Sequence, residues 1–188
     1  MIQQKHIDLL IELGTEDVQH EKGSFFDHLK GVAKLLQDWG NGEAVCLAGL
    51  FHSIYGTQNF RQQTISYERR EKIAAMISDE GENLVYLFCI CDRRTFFANF
   101  AALATHGPLV IFDEENQKNL SVDRPTLVKL MELEMANLLD QAPVPSQLNE
   151  TTLAIMKGIA PCLKGVISDN AAAAIADYVA LAQSAVAQ

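Results

Sequence analysis

The strongest constraint in this sequence is the spacing of its apolar residues, which recur every three or four positions over most of the chain. That spacing gives an α-helix one apolar face, which must be buried against other helices. The pattern occurs at residues 2–13, 25–39, 44–55, 67–78, 82–92, 95–106, 125–141, 150–163 and 171–187. We therefore predict an all-α fold, a helical bundle of about eight or nine helices.

Turn-forming residues between these stretches indicate where the helices begin and end. The Gly40-Asn41-Gly42 turn separates the second helix from the third, and the Pro143-Val144-Pro145 stretch ends the seventh. Asp123 precedes Pro125 as a capping acceptor at the start of the seventh helix. Residues 107–122 break the helical pattern, and their only apolar run is too short to distinguish a strand from a packed loop. We predict a connecting loop there that covers a pocket.

Length and charge limit the classes of protein to which the chain can belong. A chain of 188 residues is within the range of one domain, so we predict a single domain over residues 1–188. Lys and Arg number 15 against 24 Asp and Glu, and the formal charge of -9 repels nucleic acid, so we expect no nucleic-acid partner. No apolar run approaches the roughly 20 residues that span a bilayer, and acidic residues near the N-terminus are atypical of a signal peptide. We expect a cytoplasmic protein with no membrane partner.

The four cysteines lie in or beside apolar segments, at Cys46, Cys89, Cys91 and Cys162. In a reducing compartment a free cysteine behaves as a small hydrophobic residue. The C-x-C spacing of Cys89 and Cys91 is neither a CxxC redox motif nor half of a zinc site with a partner pair elsewhere. We therefore predict buried free thiols.

Two histidines lie in neighbouring predicted helices. His28 is early in the second helix and His52 is at the end of the third, so antiparallel packing of these helices would bring the imidazoles together. Neutral imidazole is the commonest nitrogen ligand of metals, and the pair could form half of a metal site. By spacing alone, two such histidines are more often capping or core residues.

The stretch FFDHLKGVAKLLQDWGNGEAVCLAGLFHSIYGT resembles the HD-domain superfamily of metal phosphohydrolases, in which a histidine is followed further along the chain by a His-Asp pair. In the order of its helices the chain is similar to the hydrolase domain of bifunctional (p)ppGpp synthetase/hydrolases. REKIAAMISDEGENLVYLFCICD resembles the helix pair after their His-Asp motif, and KLMELEMANLLDQ resembles the helix that supplies their last metal-binding Asp. The resemblance implies an HD-like core over about residues 20–141 and a C-terminal helical extension over about residues 150–188.

The metal-binding pattern of that family is altered in this chain. Ser53 stands where the resemblance implies a metal-bridging Asp, and Asn137 stands where it implies the last metal-binding Asp. The resemblance also implies an acidic pair just beyond the His-Asp motif, and the Tyr55-Gly56-Thr57 turn stands at its position in this chain. Hard ions such as Mn²⁺ and Mg²⁺ need anionic oxygen ligands, so the resemblance implies a degenerate metal motif without family-type phosphohydrolase activity. An offset of one helical turn would bring Glu134 or Asp140 to the position of Asn137 instead.

Other residues could build a different metal site on the same scaffold. His20 lies before His28 and could add a third imidazole, while Asp92 or Glu134 could add a carboxylate. Histidines with one carboxylate suit iron or zinc better than manganese. The alternative is that His20 is an exposed loop residue and that Asp92 forms an ion pair with a neighbouring arginine.

A ligand pocket around the two histidines is the second kind of site that these residues can form. Arginine can hold an anion by paired hydrogen bonds, and tyrosine can donate one more. The predicted ligand-binding residues are His28, His52, Ser53, Tyr55, Asn137 and Arg61.

Three functions agree with these residues. The first is a degenerate HD-like domain that binds a small polar or anionic ligand. The second is a metal-dependent enzyme, either a phosphohydrolase or an iron oxygenase, with a rearranged His/carboxylate site that holds iron, zinc or manganese. The third is a homodimeric interaction module that associates through the alanine-rich last helix. The sequence leaves open whether the chain is an enzyme and which of Asp92, Glu134 and Asn137 faces the histidines.

Overall fold

The computed structural model describes residues 2–20, 23–105, 107–142 and 150–186 of the chain. Most of these residues lie in nine α-helices: α1 Gln4–Glu12, α2 Phe25–Asp38, α3 Glu43–Phe51, α4 Arg70–Ile77, α5 Asp79–Ile90, α6 Arg93–Thr105, α7 Arg124–Gln141, α8 Glu150–Leu163 and α9 Asp169–Val186. The described strands form two short antiparallel pairs, β1 Gln19–His20 with β2 Gly23–Ser24 and β3 Val110–Asp113 with β4 Lys118–Ser121. The described part of the chain is therefore an all-α helical bundle.

The helices begin and end close to where the apolar pattern predicts them. Asp123 caps α7 as predicted, since its side chain accepts the Thr126 N–H at 2.8 Å. The main difference is α3, which ends at Phe51 rather than at residue 55. The chain after α3 continues as a loop, of which residues 52–57 are buried, and the Ile54 carbonyl accepts the backbone N–H of Thr64 at 2.9 Å. The Pro143-Val144-Pro145 stretch lies outside the described residues.

The prediction of a connecting loop at residues 107–122 is wrong, because β3 and β4 form a hairpin there. Asn99 of α6 holds the first strand: its side-chain N–H donates to the Val110 carbonyl at 2.8 Å, and its side-chain oxygen accepts the Val110 N–H at 2.9 Å. Gln117 takes a left-handed backbone conformation, φ 53°, between the two strands. The contact is made by a polar side chain with a strand that starts eleven residues further along the chain, so apolar spacing gives no sign of it.

The four cysteines are free thiols, as predicted. Cys46, Cys89 and Cys91 are buried, and Cys162 is half-buried. Burial raises the pKa of the Cys89 thiol, whose S–H donates to the His52 carbonyl at 3.1 Å. The described cysteines therefore act as small core residues.

A buried carboxylate ties α7 to α9. Glu132 of α7 accepts the Ser168 backbone N–H at 2.6 Å and the Ser168 hydroxyl at 3.2 Å. The side chain of Asn41, in the turn between α2 and α3, donates to the same carboxylate. Because Ser168 directly precedes α9, Glu132 fixes the start of this last helix against the rest of the bundle.

The outer face of α9 carries Leu181, which is 59% exposed. Association of two chains through this helix stays a prediction. Among the described helices, none combines the length and apolar character that a membrane crossing requires.

Close contact between α2 and α3 depends on a glycine. α2 packs against both α3 and α7, and Gly49 of α3 faces α2. A Cβ at Gly49 would lie 2.5 Å from Leu36 Cδ1 and 3.3 Å from Ala33 Cα. Ala33 and Leu36 are fully buried, so neither has free space to move into. The glycine therefore sets the distance between the two helices.

We expect the Gly49→Ala substitution to lower the free energy of unfolding by about 1–3 kcal/mol, because the added methyl group overpacks this contact. The matched control is Gly158→Ala in α8, where a Cβ would meet nothing within 4 Å. There the higher helix propensity of alanine is expected to raise the free energy of unfolding by up to ~1 kcal/mol. Chemical denaturation measures both, and similar values for the two variants would contradict the close α2–α3 contact.

Candidate functional site

Two histidines meet where α2, α3 and α7 come together. Ser24 caps α2, and His28 follows one turn later, while His52 directly follows the last residue of α3. The Nε2 atoms of the two histidines are 3.2 Å apart, and the rings meet edge to face with centroids 5.0 Å apart. Both side chains are buried. The structure thus brings together the two histidines that the sequence places in neighbouring helices.

Each histidine is oriented by a partner at its other ring nitrogen. Asp140 Oδ2 lies 2.6 Å from His28 Nδ1, and the Gly49 carbonyl lies 2.8 Å from His52 Nδ1. Because a carbonyl only accepts, the proton of a neutral His52 is on Nδ1, and its Nε2 presents a lone pair to His28. The result is a chain of close contacts that runs from Asp140 through both imidazoles to the Gly49 carbonyl of α3.

The surroundings of His52 favour its neutral form. Burial lowers the pKa of His52 well below its usual value, and the neighbouring His28 lowers it further. The Phe88 ring meets His52 edge to face with centroids 5.2 Å apart, so an apolar group covers that side of the imidazole. At pH 7 His52 is therefore uncharged.

Two amide side chains of α7 cover the histidine pair. Asn137 Oδ1 lies 3.1 Å from His28 Nε2, and Gln141 Nε2 lies 3.2 Å from the same atom. Gln141 also donates to Asn137 Oδ1 at 2.9 Å. Positions 137 and 141 are one helical turn apart, so both amides lie on the same face of α7.

A cavity of about 280 Å³ opens beside these amides. Its walls combine hydroxyl, amide and apolar groups with one arginine and one glutamate. The lining residues are Ser53, Thr57, Asn59, Phe60, Phe88, Arg93, Glu134, Asn137, Leu138 and Gln141. Seven of these ten residues are polar, so the cavity is more polar than the usual small-molecule site.

The charged residues of the cavity wall form a buried pair. Arg93 Nη2 lies 3.9 Å from Glu134 Oε2. The Arg93 guanidinium stacks over Phe88 at 4.2 Å from the ring centroid and donates to the Phe88 carbonyl at 3.2 Å. Burial raises the pKa of Glu134, because Arg93 at this distance offsets only part of the desolvation.

Asp92, a predicted metal ligand, has its hydrogen bonds in the cap of α6. Its Oδ1 accepts the Thr95 N–H at 2.9 Å, and its Oδ2 accepts the Gln58 side-chain N–H at 3.2 Å. Asp92 Oδ2 also lies 3.7 Å from Arg94 Nε, and the bond from Thr95 is the main reason why the pKa of Asp92 is lowered. His20, the predicted third imidazole, lies in β1, and its side chain is outside the part of the chain that the structure describes.

Tyr55 and Arg61, which the sequence groups with the histidines, line a separate cavity of about 70 Å³. The Tyr55 hydroxyl donates to Glu82 at 3.0 Å, and Arg70 makes two bonds of 2.6 Å to the same carboxylate. Thr57 lines both cavities. Tyr55 and Arg61 are close to His52 in sequence, but they line the smaller cavity and not the one beside the amides of α7.

The residues around the histidines do not fit the hard divalent ion that the HD resemblance implies. Within the described residues, no group of three or more His, Cys, Asp and Glu side chains is arranged to hold a metal ion. Asn137 offers a neutral oxygen, and Asp140 contacts the Nδ1 of His28 rather than the Nε2 that faces His52. Anionic oxygen is what Mn²⁺ and Mg²⁺ require. The site therefore has nitrogen donors without the charge that such an ion needs.

Sequence reasoning did not find Arg93, Gln141 or Gly31. Gly31 lies three residues after His28, and a Cβ there would collide with the Asp140 carboxylate, approaching Asp140 Cγ to 2.8 Å. This glycine makes room for the carboxylate that orients His28. A glycine inside a predicted helix, on the same face as a candidate histidine, is the signal that could have found it.

Comparisons with known proteins match part of the chain. Residues 9–93 match the model of a family described as a domain of unknown function (DUF6817). The match covers fewer than half of the 188 residues, from α1 to the start of α6. It includes His28 and His52 but not Asn137 or Asp140. No curated protein and no solved structure matches the chain.

We expect Asp140→Ala to lower the free energy of unfolding by about 1–3 kcal/mol, because it leaves a buried ring nitrogen of His28 without its charged partner. Gly31→Ala is expected to have a similar effect, because the methyl group displaces the Asp140 carboxylate. The double variant is expected to cost no more than Asp140→Ala alone, since the collision then disappears. Denaturation experiments measure all three, and strictly additive losses would contradict the steric link between Gly31 and Asp140.

Proposed function

We propose that this chain is a degenerate HD-like domain that binds a small polar or anionic molecule in the cavity beside His28 and His52. The observation that carries the proposal is that Asn137 and Gln141 line a cavity of about 280 Å³ and that both of their amides contact His28 directly. Pockets for drug-sized ligands run from roughly 300 to 1,000 Å³. The cavity is slightly below the lower end of this range, so it suits a ligand smaller than most drugs.

The chemistry of the cavity walls supports a polar ligand. The hydroxyl groups of Ser53 and Thr57 and the amides of Asn137 and Gln141 offer both donors and acceptors. Phe88 supplies an apolar surface beside them. Placed polar groups beside an apolar surface orient a ligand and select it by its hydrogen bonds.

The surroundings of His28 support binding in preference to the metal-dependent hydrolysis of the HD family. His28 Nε2 already has His52 Nε2, Asn137 Oδ1 and Gln141 Nε2 within 3.2 Å. These neighbours are neutral groups, and the carboxylate of Asp140 is on the opposite ring nitrogen. The family's hydrolysis needs metal-bound oxygen ligands that this arrangement does not supply.

A metal-dependent enzyme with a rearranged site is the second candidate. The observation in its favour is the convergence of two imidazole nitrogens, each oriented by a partner at its other nitrogen, Asp140 for His28 and the Gly49 carbonyl for His52. Such outer partners are typical of metal-bound histidines. Iron or zinc would suit these donors better than manganese.

Thermal denaturation with a panel of small polar and anionic metabolites tests the binding proposal. A ligand at a hundred times its dissociation constant adds about 2.7 kcal/mol of stability, which raises the melting temperature measurably. We expect Asn137→Ala and Gln141→Ala to abolish the increase, because they remove the amides at the cavity. The control Gln37→Ala changes an exposed glutamine of α2 and is expected to keep it. An increase that survives both α7 substitutions would place the ligand elsewhere.

Elemental analysis of protein purified without a histidine tag separates the two candidates. We expect iron, zinc and manganese well below one ion per chain in the wild type and in His52→Ala, because the donor set lacks anionic oxygen. Near-stoichiometric metal that disappears in His52→Ala would contradict the binding proposal and favour the rearranged enzyme.

A further inference from the structure

The Arg–Glu pair of the cavity wall is not closely joined. Arg93 Nη2 lies 3.9 Å from Glu134 Oε2, beyond hydrogen-bond distance. Elsewhere in the protein, Arg70 makes two hydrogen bonds of 2.6 Å to the two oxygens of Glu82. Arg70 therefore hydrogen-bonds its carboxylate partner, whereas Arg93, at the edge of a cavity, does not come within hydrogen-bond distance of Glu134.

Arg93 is held in place by contacts with groups other than Glu134. Its Nη1 donates to the Phe88 carbonyl at 3.2 Å and to Cys91 Sγ at 2.7 Å, and its guanidinium stacks on the Phe88 ring. Only 13% of the side chain is exposed. A guanidinium already fixed in this way loses little conformational freedom when an anion binds.

Glu134 compensates the charge of Arg93 incompletely. Its carboxyl is buried, and burial raises its pKa, so it retains a proton more readily than an exposed glutamate. A protonated carboxyl adds no negative charge beside Arg93 and offers an O–H donor. An anionic oxygen bound there would accept hydrogen bonds from both side chains.

We propose that the cavity binds a small carboxylate, whose anionic group lies between Arg93 and Glu134. This inference rests on the proposed function and names the class of ligand. One guanidinium beside one protonated carboxyl group matches a single negative charge, whereas a phosphate dianion would keep a second negative charge without a partner in a chain of net charge -9. The ring of Phe88 borders the apolar part of the ligand, and the Ser53 hydroxyl of the same cavity binds its remaining polar groups, since Asn137 already donates to Glu134 Oε2 at 3.4 Å.

Benzoate and benzamide are a matched pair of probes, because they have nearly the same shape and differ in charge. Calorimetric titration measures both against the wild type, Arg93→Gln, Glu134→Gln and the charge-balanced double variant Arg93→Gln/Glu134→Gln. Arg94→Gln is the control, since it removes the same charge from the next residue of α6, whose side chain is 94% exposed. Inorganic phosphate is the third probe, and circular dichroism confirms that each variant folds.

We expect the wild type to bind benzoate at least about tenfold more tightly than benzamide, because a hydrogen bond to a charged group contributes more than one between neutral groups. Glu134→Gln is expected to tighten benzoate binding severalfold with little effect on benzamide. Arg93→Gln and the double variant are expected to lose the preference, and Arg94→Gln to keep it. If Arg93→Gln does not fold, the double variant alone tests whether the preference for benzoate depends on Arg93, because it leaves no buried charge unpaired.

Three results would overturn the carboxylate assignment: equal binding of benzoate and benzamide, weaker benzoate binding in Glu134→Gln, or tighter binding of phosphate than of benzoate. If benzamide binds and Asn137→Ala abolishes its binding, the cavity remains a ligand site and only the assignment of the charged group fails. If neither probe nor any molecule of the wider panel binds, the proposed function itself fails.

Discussion

The contact between α2 and α3 is the constraint on which the rest of the site depends. Gly49 has two roles in it. Its missing side chain lets α3 approach Ala33 and Leu36 of α2, and its carbonyl accepts the Nδ1–H of His52. The first role places the two histidine rings in contact, and the second decides which nitrogen of His52 faces His28. A packing requirement and a chemical requirement therefore fall on the same residue.

Local sequence patterns predicted the helices well, because apolar spacing and capping residues act over a few positions of the chain. They also placed His28 and His52 together, since a short turn joins α2 to α3. The predictions for Tyr55 and Arg61 rested on closeness to His52 in sequence, and the irregular loop after α3 carries both into another cavity. A loop has no period from which its direction can be read.

The long-range parts of the site could not be read from the sequence. Arg93 reaches the cavity from the start of α6, and Glu134 reaches it from α7. No local pattern connects these two positions. Such contacts depend on how the helices assemble, whereas the helices themselves depend mainly on their own residues.

Gly31 and Asp140 fit each other as a small and a large residue across two helices. The carboxylate occupies the space that any side chain at position 31 would need. In an alignment of related sequences, these two positions are therefore expected to vary together: a larger residue at the first goes with a shorter one at the second. Chains that keep the acid but lose the glycine would have to turn the acid away from His28, so this covariation would identify relatives with the same histidine orientation.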